Sequence, residues 1–108
     1  MLDAFPAERY HCLLLPKAAC VDVGDLSPGA AAGVLRELPR LVAAVKQASG
    51  APAVKVLSNA GAEAGQVVFH THFHVIPRFT RSESLTSATT MVDKEQALES
   101  VANLLKCL

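Results

Sequence analysis

The sequence carries no excess of charge of either sign: ten Lys and Arg balance ten Asp and Glu in 108 residues. Such a balance exerts no general pull on a polyanion, so neither nucleic acid nor an anionic membrane is an expected partner. No apolar run approaches the ~20 residues of a membrane span. The stretch Met1–Pro6 lacks the basic-then-apolar plan of a signal peptide, which makes the cytoplasm the expected location. Cysteine is scarce. Cys12, Cys20 and Cys107 form an odd set with no CxxC pair, against both a disulfide framework and a cysteine zinc site and in keeping with a reducing compartment. Neither a GxGxxG nor a Walker pattern occurs, so phosphate loops of those kinds are excluded. There is no internal repeat and no low-complexity tract. What remains is ordinary globular composition, 51% hydrophobic and 19% charged. The length suits a single domain over residues 1–108.

Cys12–Leu15 is short, apolar throughout and stopped by Pro16, which reads as a buried strand. Ser27 is placed to cap a helix whose first position, Pro28, needs no N–H. The helical period runs to Ser49, with Val34, Leu35, Leu38, Leu41, Val42 and Val45 on one stripe and Gly50 as the stop. Pro39 conflicts with an unbroken helix. An interior proline loses a hydrogen bond and clashes with the preceding turn, so a kink or a break is expected there. Ala53–Asn59 reads as a second strand and 59–65 as a small-residue turn. Gln66–Ile76, rich in β-branched and aromatic residues, reads as the strongest strand. Arg81–Thr90 is a Ser/Thr-rich loop, and Asp93 with Gln96 resembles a capping box for a last helix. The apolar stripe of that helix is Ala97, Leu98, Val101, Leu104, Leu105 and Leu108.

Three of the four histidines fall within His70-Thr71-His72-Phe73-His74. On a strand, residues two apart share a face. Gln66, Val68, His70, His72, His74 and Ile76 then point one way, and Val67, Phe69, Thr71, Phe73 and Val75 the other. The second set is a core face interrupted only by Thr71, with Val67, Phe69, Phe73 and Val75 expected to be buried against a helix. The first set puts three imidazoles in a row along a cleft. Three chemistries are open to such a row. The histidines can be structural or solvated, although neighbouring imidazoles cost desolvation and repel one another when charged. They can form a metal site, since two histidines at i and i+2 grip zinc or iron; a carboxylate usually helps, and Glu63 is the acidic residue nearest in sequence. Or they can attack phosphorus. Neutral imidazole is nucleophilic near pH 7, and a second imidazole can hold phosphoryl oxygens or protonate a leaving group.

The run Gly65–Arg78 resembles the signature of the histidine triad (HIT) family: His, apolar, His, apolar, His, apolar, apolar. Asn59 stands where that family often keeps a polar active-site residue. Leu2-Asp3-Ala4-Phe5-Pro6, followed by His11-Cys12-Leu13-Leu14-Leu15-Pro16-Lys17, resembles the family's earlier block. The likeness thus runs from the first residues to about Arg78. A third histidine in place of a glutamine is similar to the hydrolase-type branches and not to the nucleotidyltransferase branch. Some positions differ. Most members begin earlier, with a hairpin this domain is expected to lack. Ala19 replaces a histidine after the Pro-Lys pair, Thr71 replaces an apolar residue, and the N-terminal Cys pair of zinc-containing members is absent.

The resemblance implies an α+β fold with a mainly antiparallel sheet, one long helix between strands and a C-terminal helix. It implies hydrolysis of a nucleoside phosphoramidate or a dinucleoside polyphosphate, with purine nucleotides favoured and no cofactor. His72 would attack the α-phosphorus and form a covalent nucleotidyl-histidine. His74 would bond the phosphate and assist the leaving group, and His70 would orient its neighbour. Asn59 and Gln66 would contact phosphate or leaving group, Asp3 the ribose hydroxyls, and Phe5 the base. Family members are commonly homodimers, which agrees with an apolar helix stripe broader than a three-strand sheet can cover. His11, outside the triad, reads as structural, Lys17 and Arg78 as solvated cations, and Cys12 as core. Two alternatives stand beside hydrolysis: a nucleotide-binding or interaction protein without turnover, and a His-ligated metal hydrolase.

Overall fold

Pro16 keeps the first strand short. In the computed structural model, which describes residues 9–80 and 94–107, β1 is Cys12–Leu14. A 3-10 turn follows at Val23–Asp25, capped by Asp22, whose carboxylate accepts from the Gly24 N–H at 2.8 Å. Ser27 opens α1, Pro28–Leu35, its hydroxyl oxygen accepting from the Ala30 N–H at 3.1 Å. The expected break occurs, and α2 spans Leu38–Ser49 with Pro39 in its first turn. A first-turn N–H has no intrahelical acceptor, so the proline costs nothing there. Gly50 ends α2 in the left-handed conformation, φ 74°, with its N–H on the Lys46 carbonyl. The remaining elements are β2 at Ala53–Leu57, a 3-10 turn at Ala62–Ala64, β3 at Phe73–Arg78 and α3 at Lys94–Cys107.

Among the described residues the three strands form one antiparallel sheet in the order β1-β3-β2. Cys12 pairs with Val75 and Leu14 with Phe73, while β2 runs from Ala53 opposite Arg78 to Leu57 opposite His74. Alternation sends Cys12 and Val75 towards α2 and His74 to the other face. The core joins Tyr10, Cys12, Ala44, Val45, Val75 and Leu104, with Leu38, Leu41, Val42 and Val54 packed around it. So α2 turns its part of the stripe read from the sequence to the core, with Val45 buried and Leu38, Leu41 and Val42 half-buried, while Leu35, at the break, stays exposed. On α3, Leu104 is buried and Val101 and Leu105 are exposed. Burial pushes the Cys12 thiol up to about 11, which makes it an inert core side chain. Tyr10 takes a left-handed φ of 69°, a strained choice for a residue with a Cβ. Its buried ring holds it, and its hydroxyl accepts from Asn103 Nδ2 on α3 at 2.8 Å.

The strand predicted from Gln66 to Ile76 is corrected by the structure: the ladder begins at Phe73 and continues to Arg78. Its neighbours run out, since β1 stops before Pro16 and β2 stops at Leu57. Gly65, at φ 103°, turns the chain. The Thr71 N–H then bonds the Cys20 carbonyl at 3.0 Å, and the Ser58 hydroxyl donates to the His72 carbonyl at 2.7 Å. Strand propensity without a partner strand does not make a ladder. Val67 and Phe69, expected in the core, are therefore exposed, whereas Phe73 and Val75 are buried as predicted. Asp3, Phe5, Arg81–Thr90, Asp93 and Leu108 lie outside the described residues, as do the side chains of Gln96, Ala97 and Leu98.

Candidate active site

His74 is the one triad residue inside the ladder, between Leu13 on β1 and Leu57 on β2. His72 stands one residue before β3, and His70 lies in the bend ahead of it. All three imidazoles are half-buried. The rings of His72 and His74 meet edge to face, with centroids 4.9 Å apart.

Backbone carbonyls fix two of the rings. His72 Nδ1 is 2.7 Å from the His70 carbonyl, and His70 Nε2 is 3.1 Å from the Pro16 carbonyl. A carbonyl oxygen only accepts, so both nitrogens carry protons. A neutral His72 then keeps its lone pair on Nε2. Ser58, bonded to the His72 carbonyl, holds this backbone from the β2 side.

His74 is held by a residue outside the triad. His11 Nε2 lies 2.8 Å from His74 Nδ1, and the two ring centroids are 5.1 Å apart. His11 is only 1% exposed. The structural role read from the sequence is thus incomplete, because this buried side chain touches the triad. The signal for it is register: Cys12 opposite Val75 carries His11 to the stretch of β3 that holds His74.

Gln66 is buried, and its amide is in full use. Nε2 donates to the Val21 carbonyl at 2.6 Å and to the Val68 carbonyl at 3.1 Å, and Oε1 accepts from the Gly61 N–H at 2.8 Å. These bonds tie the loop before β3 to the loop after β1. Asn59 is half-buried beside Gly65, where an added Cβ would come within 3.5 Å of its Nδ2. Lys17 is exposed, and Arg78 is half-buried at the end of β3. Among the described residues no three His, Cys, Asp or Glu side chains converge as metal ligands, and no helix is long and apolar enough to cross a membrane. A groove of about 370 Å³ without a histidine in its lining lies between the end of β1 and α1, against Leu14, Pro16, Gly33 and Val34.

The pattern of the HIT domain matches residues 1–81. Over 100 residues the chain is 37% identical to adenylylsulfatase HINT3 of Arabidopsis thaliana, an alignment covering 88% of this chain and 51% of that protein. The chain therefore spans about half the length of that relative. It is 31% identical over 106 residues to an uncharacterized HIT-like protein of Mycobacterium tuberculosis, covering 98% of this chain and 74% of the relative. A crystal structure of a HIT-like protein from Bartonella henselae superposes with a TM-score of 0.88 at 26% identity, over 99% of this chain and 77% of the other. The chain belongs to the HIT family. Its α+β architecture, antiparallel sheet and C-terminal helix are those of a HIT fold. In this HIT site the chemistry follows from the nitrogens. A neutral His72 with a bare Nε2 stands beside an imidazole whose Nδ1 is engaged by His11, an arrangement able to pair a nucleophilic nitrogen with a proton-carrying one.

Proposed function

We propose that this HIT protein hydrolyses a purine nucleotide derivative at its α-phosphorus, through a nucleotidyl-histidine on His72. The observation that carries this reading is the 2.7 Å contact of His72 Nδ1 with the His70 carbonyl, which leaves Nε2 as the nucleophile. Nε2 forms a bond to phosphorus as the bond to the leaving group breaks. When His11 donates to His74 Nδ1, the neutral His74 carries its proton on Nε2 and supplies it to the departing group. Water then cleaves the N–P bond, releases the nucleoside monophosphate and restores His72, so one water is consumed per turnover. His70 positions His72 through its carbonyl. Asn59 serves the phosphate, and Gln66 acts by holding the loop beside it. Asp3 and Phe5 serve the nucleoside end. The similarity to an adenylylsulfatase supports an adenylyl substrate. Among the described residues β2 is an edge strand with one unpaired side, which supports the homodimer included in this reading.

The test is to incubate wild type and His72→Ala with adenosine 5′-phosphoramidate and to follow rapidly quenched samples by intact-protein mass spectrometry. An adenylyl adduct should form on wild type and be absent from the variant, which should still bind AMP but turn nothing over. His74→Ala should lower the rate by roughly 10²–10³, the scale of one positioned transition-state donor. Equal turnover by wild type and His72→Ala would rule out His72 as nucleophile. Nucleotide binding by wild type without product would favour the binding-only alternative.

A further inference from the structure

His11 reaches His74 from a buried position, and what places His11 lies outside the triad. The residues on either side of it, Tyr10 and Cys12, both belong to the core, while His11 turns the other way and brings its Nε2 to 2.8 Å from His74 Nδ1. Cys12 is held by its pairing with Val75. Tyr10 precedes the ladder and is held by other means.

Among the described residues Tyr10 is the one non-glycine with a positive φ, at 69°. A side chain at such a φ crowds the backbone, and a residue keeps it only where its surroundings over-determine it. Here most of the constraint comes from α3. The Tyr10 hydroxyl accepts from Asn103 Nδ2 at 2.8 Å, and the ring packs in the same cluster as Leu104. The Arg9 guanidinium lies over that ring, 5.0 Å from its centroid, and pairs with Glu99 at 3.4 Å. From the β1 side, the Cys12 thiol donates to the Tyr10 carbonyl at 3.2 Å. A buried ring can pack from ordinary strand backbone without this strain. What the left-handed residue adds is direction: the Tyr10 ring falls on α3 while the next side chain, His11, faces the triad. One neutral hydrogen bond and one left-handed residue are of similar size in free energy, so the bond to Asn103 and the strain it opposes are nearly matched. Without that bond Tyr10 gains by relaxing towards negative φ, and the rotation passes directly to His11.

We propose that Tyr10 and Asn103 form a clasp by which α3 positions His11 and thereby keeps the neutral His74 in the form protonated on Nε2. Both are positioning residues and act through His11. The consequence for catalysis rests on the reading of His74 as proton donor to the leaving group. A hydrogen bond weakens steeply as it bends or lengthens, so the 2.8 Å contact holds one tautomer only while His11 stays in place. Once His11 moves, Nδ1 and Nε2 of His74 compete for the ring proton. A neutral ring protonated on Nδ1 has no proton on Nε2 to give.

The experiment uses Tyr10→Phe, which keeps the ring and removes the acceptor, and Asn103→Leu, which keeps the size and removes the donor. Asn103→Asp is the rescue, since its carboxylate accepts from the Tyr10 hydroxyl and remakes the clasp with donor and acceptor exchanged. All are compared well below their calorimetric melting temperatures, so that each is folded. Long-range proton–nitrogen NMR spectra at about pH 8.5, above the ordinary histidine pKa of about 6.5, read the tautomer of each ring. Wild type and Asn103→Asp should show His74 protonated on Nε2 alone. Tyr10→Phe and Asn103→Leu should show both tautomers at His74, with His72 still protonated on Nδ1, because the His70 carbonyl holds that ring independently. With adenosine 5′-phosphoramidate these two variants should lose roughly three- to tenfold in kcat with KM within about twofold of wild type, while Asn103→Asp keeps its rate. A merely structural clasp would lower Tm and leave the His74 tautomer as it was. That result, or mixed tautomers in wild type itself, overturns the inference and leaves His72 as nucleophile. A changed tautomer with an unchanged kcat upholds the clasp and removes His74 as proton donor. No turnover by wild type sinks the hydrolase reading, and the tautomers still decide for or against the clasp.

Discussion

Replacing Thr71 by valine removes a hydroxyl while keeping the shape of the side chain. Thr71 is 1% exposed, and its Oγ1 has no hydrogen-bond partner among the described residues. Burying a hydroxyl without a partner costs about 1–3 kcal/mol on the scale of protein substitutions. Valine puts a methyl group in the same place and gains its transfer out of water. The backbone contribution is untouched, because the bond from the Thr71 N–H to the Cys20 carbonyl does not involve the side chain. Thr71→Val should therefore stabilise the fold by about 1–2 kcal/mol. For a domain near this size each kcal/mol moves Tm by roughly 4–8 °C. Calorimetry gives the shift, and urea unfolding with an unchanged m-value confirms that it reflects stability and not a change in compactness. Thr71→Ala, which also leaves a small cavity, should melt below the valine variant. A valine variant that melts below wild type would show that the hydroxyl has a partner and that the burial argument is wrong.

Two further outcomes follow from the buried groups next to the sheet. Stability should fall as pH rises from 9 to about 11, because the unfolded Cys12 thiol ionises at its ordinary 9.0 while the buried one keeps its proton to about 11. The unfolded state loses the proton first, so alkali favours unfolding by about 2–3 kcal/mol across that window. Urea melts at pH 8 and pH 11 on wild type and Cys12→Val check this, and an equal alkaline loss in both proteins would refute it. His11→Ala should lower kcat by roughly tenfold or more, but less than the loss of His74 itself. It should also move the pH profile of kcat, since the proton on His74 is no longer placed by a partner. A stability loss with an unchanged pH profile would return His11 to a purely structural role.

The helices and their limits were legible because their signals act within a turn. Ser27 caps α1 and Gly50 ends α2 through hydrogen bonds to residues three or four away, and Pro39 splits the long helix because it lacks the N–H for such a bond. The triad was legible as three imidazoles at strand spacing, and Cys12 as core from its apolar neighbours. The alternation argument held from Phe73 onward, where partner strands exist, and placed Phe73 and Val75 in the core.

The sequence by itself determined the elements that depend on near neighbours and the family pattern with its three histidines. Tertiary structure alone decided where the last strand begins, because a ladder needs backbone partners and those of residues 66–72 had already ended at Leu14 and Leu57. It decided that Gln66 laces two loops, a choice made by carbonyls at Val21 and Val68 and not by the residue type. It also decided the part played by His11. Sixty-three positions separate that residue from His74 in the chain, and nothing local to either histidine brings them together. Only the pairing of β1 with β3 closes the distance to 2.8 Å, since sheet register is set by long-range contacts that neither segment carries alone.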